Sequence, residues 1–281
     1  MTVQRPLPDV RPDPLHSLPP AVVGTRAQPA PNATLVSRVE ITATLGVFVV
    51  VLDAPLGPYR PGQYVSLGVE RGGELVQRPY SIVSLDRTAT RVELFIRRLP
   101  DGRLSNLAWG LAIGARVRVG PARGLFVLDR ADTRRRLMIG TGTGLAPLLA
   151  MLADGAERHD ATPSVLVHGV AYFAELAFGG RIAKWVAAGL PVTYLPTVSR
   201  PHERRNEGWA GATGRAEAQI AALLDEQPAW RGGTAYLCGN PDMIESCRSV
   251  LLAAGIAPHD IHAEQFHAPK ARDAQGGTLN A

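Results

Sequence analysis

Met138-Ile-Gly-Thr-Gly-Thr-Gly-Leu-Ala-Pro147 follows an apolar stretch and leads into a segment rich in alanine and leucine. This order predicts a strand, a glycine-rich turn and a helix, and the first amides of such a helix favour an anion. Glycine is expected at positions 140, 142 and 144 because side chains there would collide with a phosphate lying over the turn. Pro147 fits the first helical turn, where its missing N–H group is not needed. The stretch therefore predicts a backbone cradle for a dinucleotide pyrophosphate.

The turn departs from the Gly-x-Gly-x-x-Gly fingerprint of Rossmann dehydrogenases. Leu145 stands where that fingerprint has its third glycine. A plain dehydrogenase of that type is therefore disfavoured.

The length of 281 residues predicts two domains, because one hydrophobic core rarely serves a chain of that size. No run of about 18 apolar residues occurs, and residues 1–34 carry prolines and aspartates where a signal peptide has an apolar core. We therefore expect a cytoplasmic enzyme without membrane insertion. Cys238 and Cys247 are too few for a four-cysteine iron–sulfur site, so such a centre is expected on another protein. No residues have metal-ligand spacing, and no metal is predicted.

The formal charge of +5 is carried almost entirely by arginine, since only Lys184 and Lys270 are lysines. A basic surface attracts nucleic acids, membranes or acidic proteins through long-range steering. No nucleic-acid-binding motif accompanies the charge, so a nucleic acid is disfavoured. An acidic protein partner stays open.

The pattern along the chain divides it into four parts. Residues 1–33 are rich in proline and predict an extended arm, and residues 267–281 form a polar tail. Residues 34–133 hold short β-type runs separated by glycine and proline, which predict an antiparallel barrel with one helix at 105–112 capped by Ser105. Residues 134–266 alternate between strand and helix patterns, which predicts a parallel α/β sheet. The predicted fold is therefore a β-barrel domain followed by an α/β domain.

Two short motifs in the predicted barrel suit a phosphorylated, flat ligand. Arg78-Pro79-Tyr80-Ser81 is placed at the start of a strand, where the two-residue period directs Arg78 and Tyr80 to one face. A guanidinium can pair with a pyrophosphate, and a tyrosine ring can stack on a flat cofactor. Gly102-Arg-Leu-Ser105 offers amides and a hydroxyl to an anion, although an ordinary helix cap would have the same sequence.

The order of these motifs, with Cys238-Gly-Asn-Pro241 after them, resembles the ferredoxin–NADP⁺ reductase family, most closely its bacterial branch, over roughly residues 34–266. The resemblance implies an antiparallel β-barrel domain that binds FAD, followed by an α/β parallel-sheet domain that binds NADP(H). The residues it implies for FAD are Arg78, Pro79, Tyr80, Ser81, Gly102 and Ser105, with Arg97 on the adenosine side. Those it implies for the pyrophosphate of NADP(H) are Gly140, Thr141, Gly142, Thr143, Gly144 and Pro147.

The resemblance also implies groups around the reacting rings. Ser81 approaches flavin N5, Cys238 lies against the nicotinamide, and Glu264 and Phe266 correspond to a carboxyl-terminal acid and aromatic residue. Ser81, Cys238 and Glu264 are the implied catalytic set. His168 is read as a hydrogen-bonded structural histidine and Cys247 as a packing residue.

The choice between NADP and NAD depends on a second basic cluster. Ser199, Arg200 and Arg215 match the family's contacts to the adenosine 2′-phosphate, whereas an NAD site would place an acid after the second strand. No acid follows the run that ends at Val170 until Glu175. Ala171 stands where many bacterial members carry an arginine. We therefore expect a preference for NADP, although one of the family's contacts to the 2′-phosphate is missing.

The resemblance implies an FAD-dependent oxidoreductase, a ferredoxin–NADP⁺ reductase. It exchanges hydride between NADP(H) and flavin N5 and passes single electrons to ferredoxin or flavodoxin. The carrier is expected to be acidic and the reductase monomeric. A basic docking face is expected from some or all of Arg97, Arg98, Arg103, Arg134, Arg135 and Arg136, although each could equally be an ordinary solvated side chain.

Two alternatives stay open. An NADH-dependent reductase component of an oxygenase, or a free flavin reductase, would share the two domains. A noncatalytic subunit that holds FAD and docks through the proline-rich arm belongs to another class of protein. The intact nicotinamide turn disfavours this last alternative.

Overall fold

The computed structural model describes residues 29–84, 86 and 88–266. The first half of this part is one antiparallel sheet of six strands in the order β4-β3-β6-β1-β2-β5. Ile82, just after β4, pairs with Leu94 of β5 and brings the two sheet edges together into a barrel. The strands are β1 (Ala33–Thr42), β2 (Leu45–Leu52), β3 (Tyr64–Arg71), β4 (Glu74–Ser81), β5 (Arg91–Arg97) and β6 (Arg116–Val119).

The barrel forms because short β-branched runs are separated by residues that turn the chain. Gly72 and Gly73 both adopt positive φ, +59° and +76°, between β3 and β4. Two successive positive φ values favour a tight hairpin, and they are accessible to glycine without steric cost. Inward side chains such as Phe48, Leu67 and Ile96 fill the barrel.

Helix α1 (Arg103–Trp109) closes one end of the barrel with Leu104 and Ala108. The predicted serine cap is wrong, because Gly102 is the N-cap residue and no side chain caps the helix. Ser105 lies inside the first turn, where its hydroxyl accepts from the Leu99 amide at 3.1 Å and donates to the Gly102 carbonyl at 3.2 Å. Ser105 therefore ties the helix to the preceding loop.

The second half is a parallel sheet in the order β10-β9-β8-β7-β11-β12. Helices pack on both of its faces in separate clusters of buried residues. The strands are β7 (Arg136–Thr141), β8 (Ser164–Val170), β9 (Val192–Val198), β10 (Ala212–Thr213), β11 (Thr234–Gly239) and β12 (Ile261–Gln265). The helices are α2 (Leu145–Glu157), α3 (Gly179–Ala187), α4 (Ala216–Glu226) and α5 (Pro241–Ala253).

One hydrophobic cluster belongs to both halves of the molecule. Leu45, Val47 and Phe95 from the barrel pack with Leu145 and Leu148 of α2. The barrel therefore rests on the α/β half through buried apolar side chains, and the space between the two halves has a defined shape.

The predicted fold class is confirmed, with local differences. Arg78 and Tyr80 lie at the end of β4, because the strand begins at Glu74, before the motif. The predicted domain boundary at 133/134 falls between the end of β6 and the start of β7, and its exact position stays a prediction. Ala33, assigned to the arm, is the first residue of β1. The rest of the arm through residue 28 and the whole tail 267–281 lie outside the described residues.

Candidate functional site

A cavity of about 1450 Å³ lies between the barrel and the carboxyl ends of the parallel strands. The sheet order reverses at β7, since β8 follows on one side and β11 lies on the other. Ligands of open α/β sheets bind outside the carboxyl ends of strands at such a reversal. The position of the cavity is therefore the one the topology predicts for a nucleotide.

The glycine-rich turn places its three glycines in different surroundings. Gly142 has a φ of +53°, lines the cavity, and a Cβ atom built there has only Arg97 nearby, at 3.7 Å. A Cβ atom on Gly144 would meet the Cys238 carbonyl oxygen at 2.1 Å, and one on Gly140 would meet the Gly144 carbonyl oxygen at 3.1 Å. Glycine is thus required at 144, and favoured at 140, by the packing of the protein itself. Only Gly142 leaves a gap open to a ligand.

The same turn is locked to β11. Thr141 Oγ1 accepts a hydrogen bond from the Asn240 amide at 3.3 Å, and a Cβ atom on Gly239 would meet that oxygen at 2.3 Å. Gly239 also has a φ of +143°. Thr141 and Thr143 line the cavity, whereas Gly140, Gly144 and Pro147 lie behind its wall. The ligand contacts predicted for Gly140, Gly144 and Pro147 stay predictions.

The barrel side of the cavity is formed by Arg78, Pro79, Tyr80 and Ser81. Tyr80 is partly buried against the barrel core. Burial raises the pKa of Tyr80 to about 12, with the nearby Arg78 guanidinium opposing the shift. The phenol is therefore neutral at physiological pH, and its ring is held beside an arginine that faces the same space.

The loop before α1 forms the floor on the barrel side, and both Gly102 and Ser105 line the cavity. A Cβ atom on Gly102 would meet Ser105 Oγ at 2.3 Å, so the glycine lets the serine approach the loop. The first amides of α1 lack a side-chain cap and are available to an acceptor on this wall.

Ser81 and Glu264 meet where the two halves join. Ser81 Oγ donates a hydrogen bond to Glu264 Oε1 at 3.3 Å across 183 residues of sequence. Burial raises the pKa of Glu264, and the bond from Ser81 opposes the shift. Phe266 lines the cavity next to them, and its amide donates to the Gly239 carbonyl at 2.9 Å.

Cys238 pairs with Glu264 in the register of β11 and β12 but does not line the cavity. Its side chain is fully buried. Burial, with the neighbouring Glu264 carboxylate, raises the pKa of the Cys238 thiol well above its usual range. A neutral, enclosed thiol cannot act as a nucleophile. Its predicted contact with a nicotinamide stays a prediction.

Arg97 spans the junction of the two halves. Its Nη1 atom lies 2.8 Å from Glu175 Oε1, and its Nη2 atom is the group that lies nearest to the open side of Gly142. The sequence assigned Arg97 to the adenosine side of FAD, and the structure places it equally beside the nucleotide turn. The partner of Arg97 is Glu175, the first acidic residue after β8 in the sequence.

Ser199, Arg200 and Arg215 are brought together at the far rim of the cavity, beyond the ends of β8 and β9. Ser199 Oγ donates to the Val170 carbonyl at 3.2 Å. Sequence reasoning missed Tyr172, which lines the cavity at this rim, and Glu203, which does not line the cavity but bonds to Tyr172 and Arg200. Tyr172 OH donates to Glu203 Oε2 at 2.7 Å, a contact across 31 residues that no local pattern signals.

The arginines predicted as a docking face do not form a single face. Arg134, Arg135 and Arg136 lie at or before the amino end of β7, about 17 Å of strand from the cavity. Arg134 pairs with Asp132 and Asp260, and Arg136 is buried against Asp160 at 2.7 Å. Of the six, Arg97 and Arg103 line the cavity. The prediction of one docking face that includes all six arginines is therefore wrong.

His168 and Cys247 are buried, as expected of structural residues. His168 Nδ1 lies 3.1 Å from Tyr194 OH, and burial lowers the pKa of His168 to about 4. Cys247 Sγ donates to Met243 Sδ at 3.6 Å within α5. Within residues 29–84, 86 and 88–266, no cluster of potential metal ligands occurs. Across the same residues, no helix combines the length and apolarity needed to cross a membrane.

The cavity is larger than the pocket of a single small molecule, and its two walls suit different ligands. Its volume exceeds the roughly 300–1,000 Å³ of a single small-molecule pocket. The barrel wall offers Arg78 to a phosphate and the Tyr80 ring to a flat group, which suits FAD. The opposite wall offers the open backbone of Gly142 with Arg97 beside it, which suits the pyrophosphate of a nicotinamide dinucleotide.

Known protein families match both halves in the expected order. Residues 32–127 match the oxidoreductase FAD-binding domain, and residues 138–249 match the oxidoreductase NAD-binding domain. A solved ferredoxin–NADP⁺ reductase from Neisseria gonorrhoeae, with bound FAD and NADP, superposes with a TM-score of 0.70 at 25% identity over 83% of this chain and 97% of that one.

Similar proteins include reductase components of oxygenase or demethylase systems and a flavodoxin/ferredoxin–NADP reductase. The aromatic O-demethylase reductase subunit of Amycolatopsis sp. is 30% identical over 84% of this chain and 69% of its own length. The reductase component of the naphthalene 1,2-dioxygenase/salicylate 5-hydroxylase systems of Ralstonia sp. is 34% identical over 74% of this chain, which spans 61% of that protein. The flavodoxin/ferredoxin–NADP reductase of Escherichia coli is 32% identical over 72% of this chain and 82% of its own length. Since both domains match in order and several relatives are at least 30% identical over more than two thirds of their length, the chain belongs to the ferredoxin–NADP reductase family of FAD- and NAD(P)-dependent oxidoreductases.

Proposed function

We propose that the chain passes electrons between NADP(H) and a separate one-electron carrier, a ferredoxin or flavodoxin. The observation that carries this proposal is the single cavity shared by both halves, with a barrel wall suited to FAD and a facing wall suited to a nicotinamide dinucleotide. When bound, FAD supplies the conversion between a two-electron hydride and single electrons.

The protein's own residues position and shield the reacting groups. The Tyr80 ring, packed on the barrel core, offers a fixed stacking surface, and Ser81 is held by Glu264 at the junction of the halves. Gly142 and Arg97 would hold the pyrophosphate of a nicotinamide dinucleotide in the cavity that this junction lines. Fixing two reactants at contact distance removes much of the entropic barrier to their reaction.

A separate carrier is supported by the cysteine content and by the relatives. The chain has two cysteines, both buried, so a four-cysteine cluster has to lie outside these 281 residues. The Neisseria and Escherichia coli reductases are matched over 97% and 82% of their lengths. Their names describe ferredoxin and flavodoxin as the carriers, and we extend that to this chain.

A second candidate is the reductase component of an oxygenase, in which the acceptor is the oxygenase or its ferredoxin. The Amycolatopsis and Ralstonia relatives carry such names. The chain spans 69% and 61% of their lengths, so their activities are proposals for this chain.

The test is anaerobic stopped-flow mixing of the FAD-loaded protein with NADPH or NADH, followed by mixing of the reduced protein with an oxidised [2Fe–2S] ferredoxin or a flavodoxin. We expect rapid loss of flavin absorbance and then its return as the carrier is reduced. Flavin reduction without electron transfer to either carrier would contradict the ferredoxin or flavodoxin role. Transfer only to an oxygenase would support the second candidate.

A matched pair of variants tests the nucleotide wall. Gly142→Ala places a methyl group at a positive φ inside the cavity and is expected to slow flavin reduction by about tenfold or more. Gly57→Ala imposes a similar backbone strain, at a φ of +88°, in an open loop outside the cavity. Equal slowing in the two variants would argue against a ligand at Gly142.

A further inference from the structure

The far rim of the cavity carries a closed triangle of hydrogen bonds. Arg200 Nη1 donates to Tyr172 OH at 3.1 Å and to Glu203 Oε1 at 3.2 Å, and Tyr172 OH donates to Glu203 Oε2. All three side chains belong to loops that follow β8 and β9. A carboxylate therefore already accepts from one nitrogen, Nη1, of the arginine that the sequence assigns to a 2′-phosphate.

The triangle is held in place by its surroundings. Asn206 is buried and donates to the Ala171 carbonyl at 2.9 Å and to the Arg200 carbonyl at 2.8 Å, which joins the two loops. The Arg205 guanidinium lies over the Tyr172 ring, 3.6 Å from its centre. Glu203 is thus fixed beside Arg200 by residues that do not themselves depend on a ligand.

A carboxylate at this position opposes a second anion. A phosphate monoester carries nearly two negative charges at neutral pH, and like charges at short range repel. Hydrogen bonds from Tyr172 lower the pKa of Glu203, with Arg200 adding to the effect, so the carboxylate is charged at neutral pH. Because Glu203 and Arg200 are about half exposed, the repulsion is modest and is screened by salt.

We propose that Glu203 is a specificity-determining residue that weakens the preference for NADPH over NADH, because it competes with the 2′-phosphate for Arg200 and Tyr172. The inference rests on the proposed nicotinamide dinucleotide site. It assigns to Glu203 the discrimination that the sequence had attributed only to Ser199, Arg200 and Arg215.

The test is calorimetric titration of the FAD-loaded protein with adenosine 2′,5′-bisphosphate and with 5′-AMP, which differ only in the 2′-phosphate. In Glu203→Gln the amide keeps the size and an acceptor but loses the charge. The ratio of affinities, bisphosphate over 5′-AMP, is expected to rise about three- to tenfold at low salt, and this gain is expected to shrink at high salt. The ratio of kcat/KM for NADPH over NADH is expected to move in the same direction.

Glu207→Gln is the matched control, since Glu207 is an exposed carboxyl four residues along the same loop. An equal gain in this variant would overturn the proposal, because the effect would then be net charge alone. An unchanged or lower ratio in Glu203→Gln would also overturn it and would identify Glu203 as a support that positions Arg200 for phosphate. Failure of the wild type to bind either nucleotide would overturn the dinucleotide site together with this inference.

Discussion

Glu264 is a partly buried carboxyl group at the junction of the two halves. It is partly buried beside Gly124, accepts from Ser81 and faces Cys238 across the strand register. Burial raises the pKa of Glu264 above its unfolded value of about 4.3. Protonation therefore favours the folded state, and the stability that Glu264 contributes is fully present below the unfolded pKa and is lost as the pH rises through the folded pKa.

Glu264→Gln tests this sign. Glutamine does not titrate and keeps an acceptor for Ser81, so the Tm of the variant relative to the wild type is expected to increase from about pH 5 to about pH 8. Thermal unfolding of the FAD-loaded proteins measures it. Glu70→Gln, an exposed position on β3, serves as the control and should show no comparable trend. A difference in Tm that stays constant with pH would contradict the direction of the Glu264 shift.

The element that organises the nucleotide wall is the turn between β7 and α2. Its glycines separate into those needed by the protein and the one facing the cavity, and the approach of Gly144 to the backbone of β11 holds the turn in place. Because β7 and β11 are neighbours in the sheet, this contact also fixes where Thr141 and Asn240 meet. The shape of the phosphate cradle thus depends on two strands far apart in sequence.

Gly144→Ala is expected to destabilise the protein by about 3 kcal/mol or more, because its Cβ atom would lie 2.1 Å from a backbone oxygen that cannot move aside. Gly180→Ala is the control, since Gly180 lies in α3 with no atom within 4 Å of an added Cβ. It is expected to be neutral or to add about 0.5–1 kcal/mol of stability through helix propensity. Urea unfolding of both variants measures the change in the free energy of unfolding. A Gly144→Ala protein as stable as the wild type would mean that the turn can shift.

At the scale of the whole molecule, β5 is the part of the barrel that holds the α/β half. Arg181 donates both guanidinium arms to Glu93, at 2.7 and 2.9 Å, and lies over the Phe178 ring. Phe178 in turn meets Phe95 edge to face, with ring centres 5.1 Å apart. Arg97 contacts Glu175 in the same way. Three alternate residues of β5, Glu93, Phe95 and Arg97, therefore contact the α/β half. The cavity between the halves therefore has a wall that is fixed before a ligand enters.

A double-mutant cycle of Arg181→Ala and Glu93→Gln tests this junction. The two changes are expected to be coupled by about 1 kcal/mol in unfolding free energy, because the pair is bidentate and Glu93 is largely buried. Arg103 and Glu74 form the control pair, because their ion pair has a similar distance and both side chains are exposed on the surface of the barrel. This pair should show no measurable coupling. Additive effects at Arg181 and Glu93 would show that this ion pair does not help to hold the halves together.

Local pattern predicted much of the fold. The alternation of short β-branched runs with glycine turns indicated the barrel, and the strand, turn and helix around Gly142 indicated the nucleotide domain, because these signals depend on residues a few positions apart. The helix near Ser105 was predicted, but its cap was not, since Gly102 rather than Ser105 takes the non-helical backbone there. A capping motif read from sequence alone does not reveal which of two nearby residues ends the loop.

The sequence by itself determined the β-barrel and α/β halves, their order and the family, and it predicted the motifs for a flavin and a nicotinamide dinucleotide. Only the tertiary structure decided which glycine of the turn is open to a ligand, that Ser81 meets Glu264 across 183 residues, and that Glu203 occupies Arg200 and Tyr172. The physical reason is the separation along the chain over which each kind of interaction acts. Strand periodicity and turn chemistry act between neighbours in the chain, whereas the pairing of a carboxylate with an arginine or a hydroxyl depends on how separate loops and strands pack.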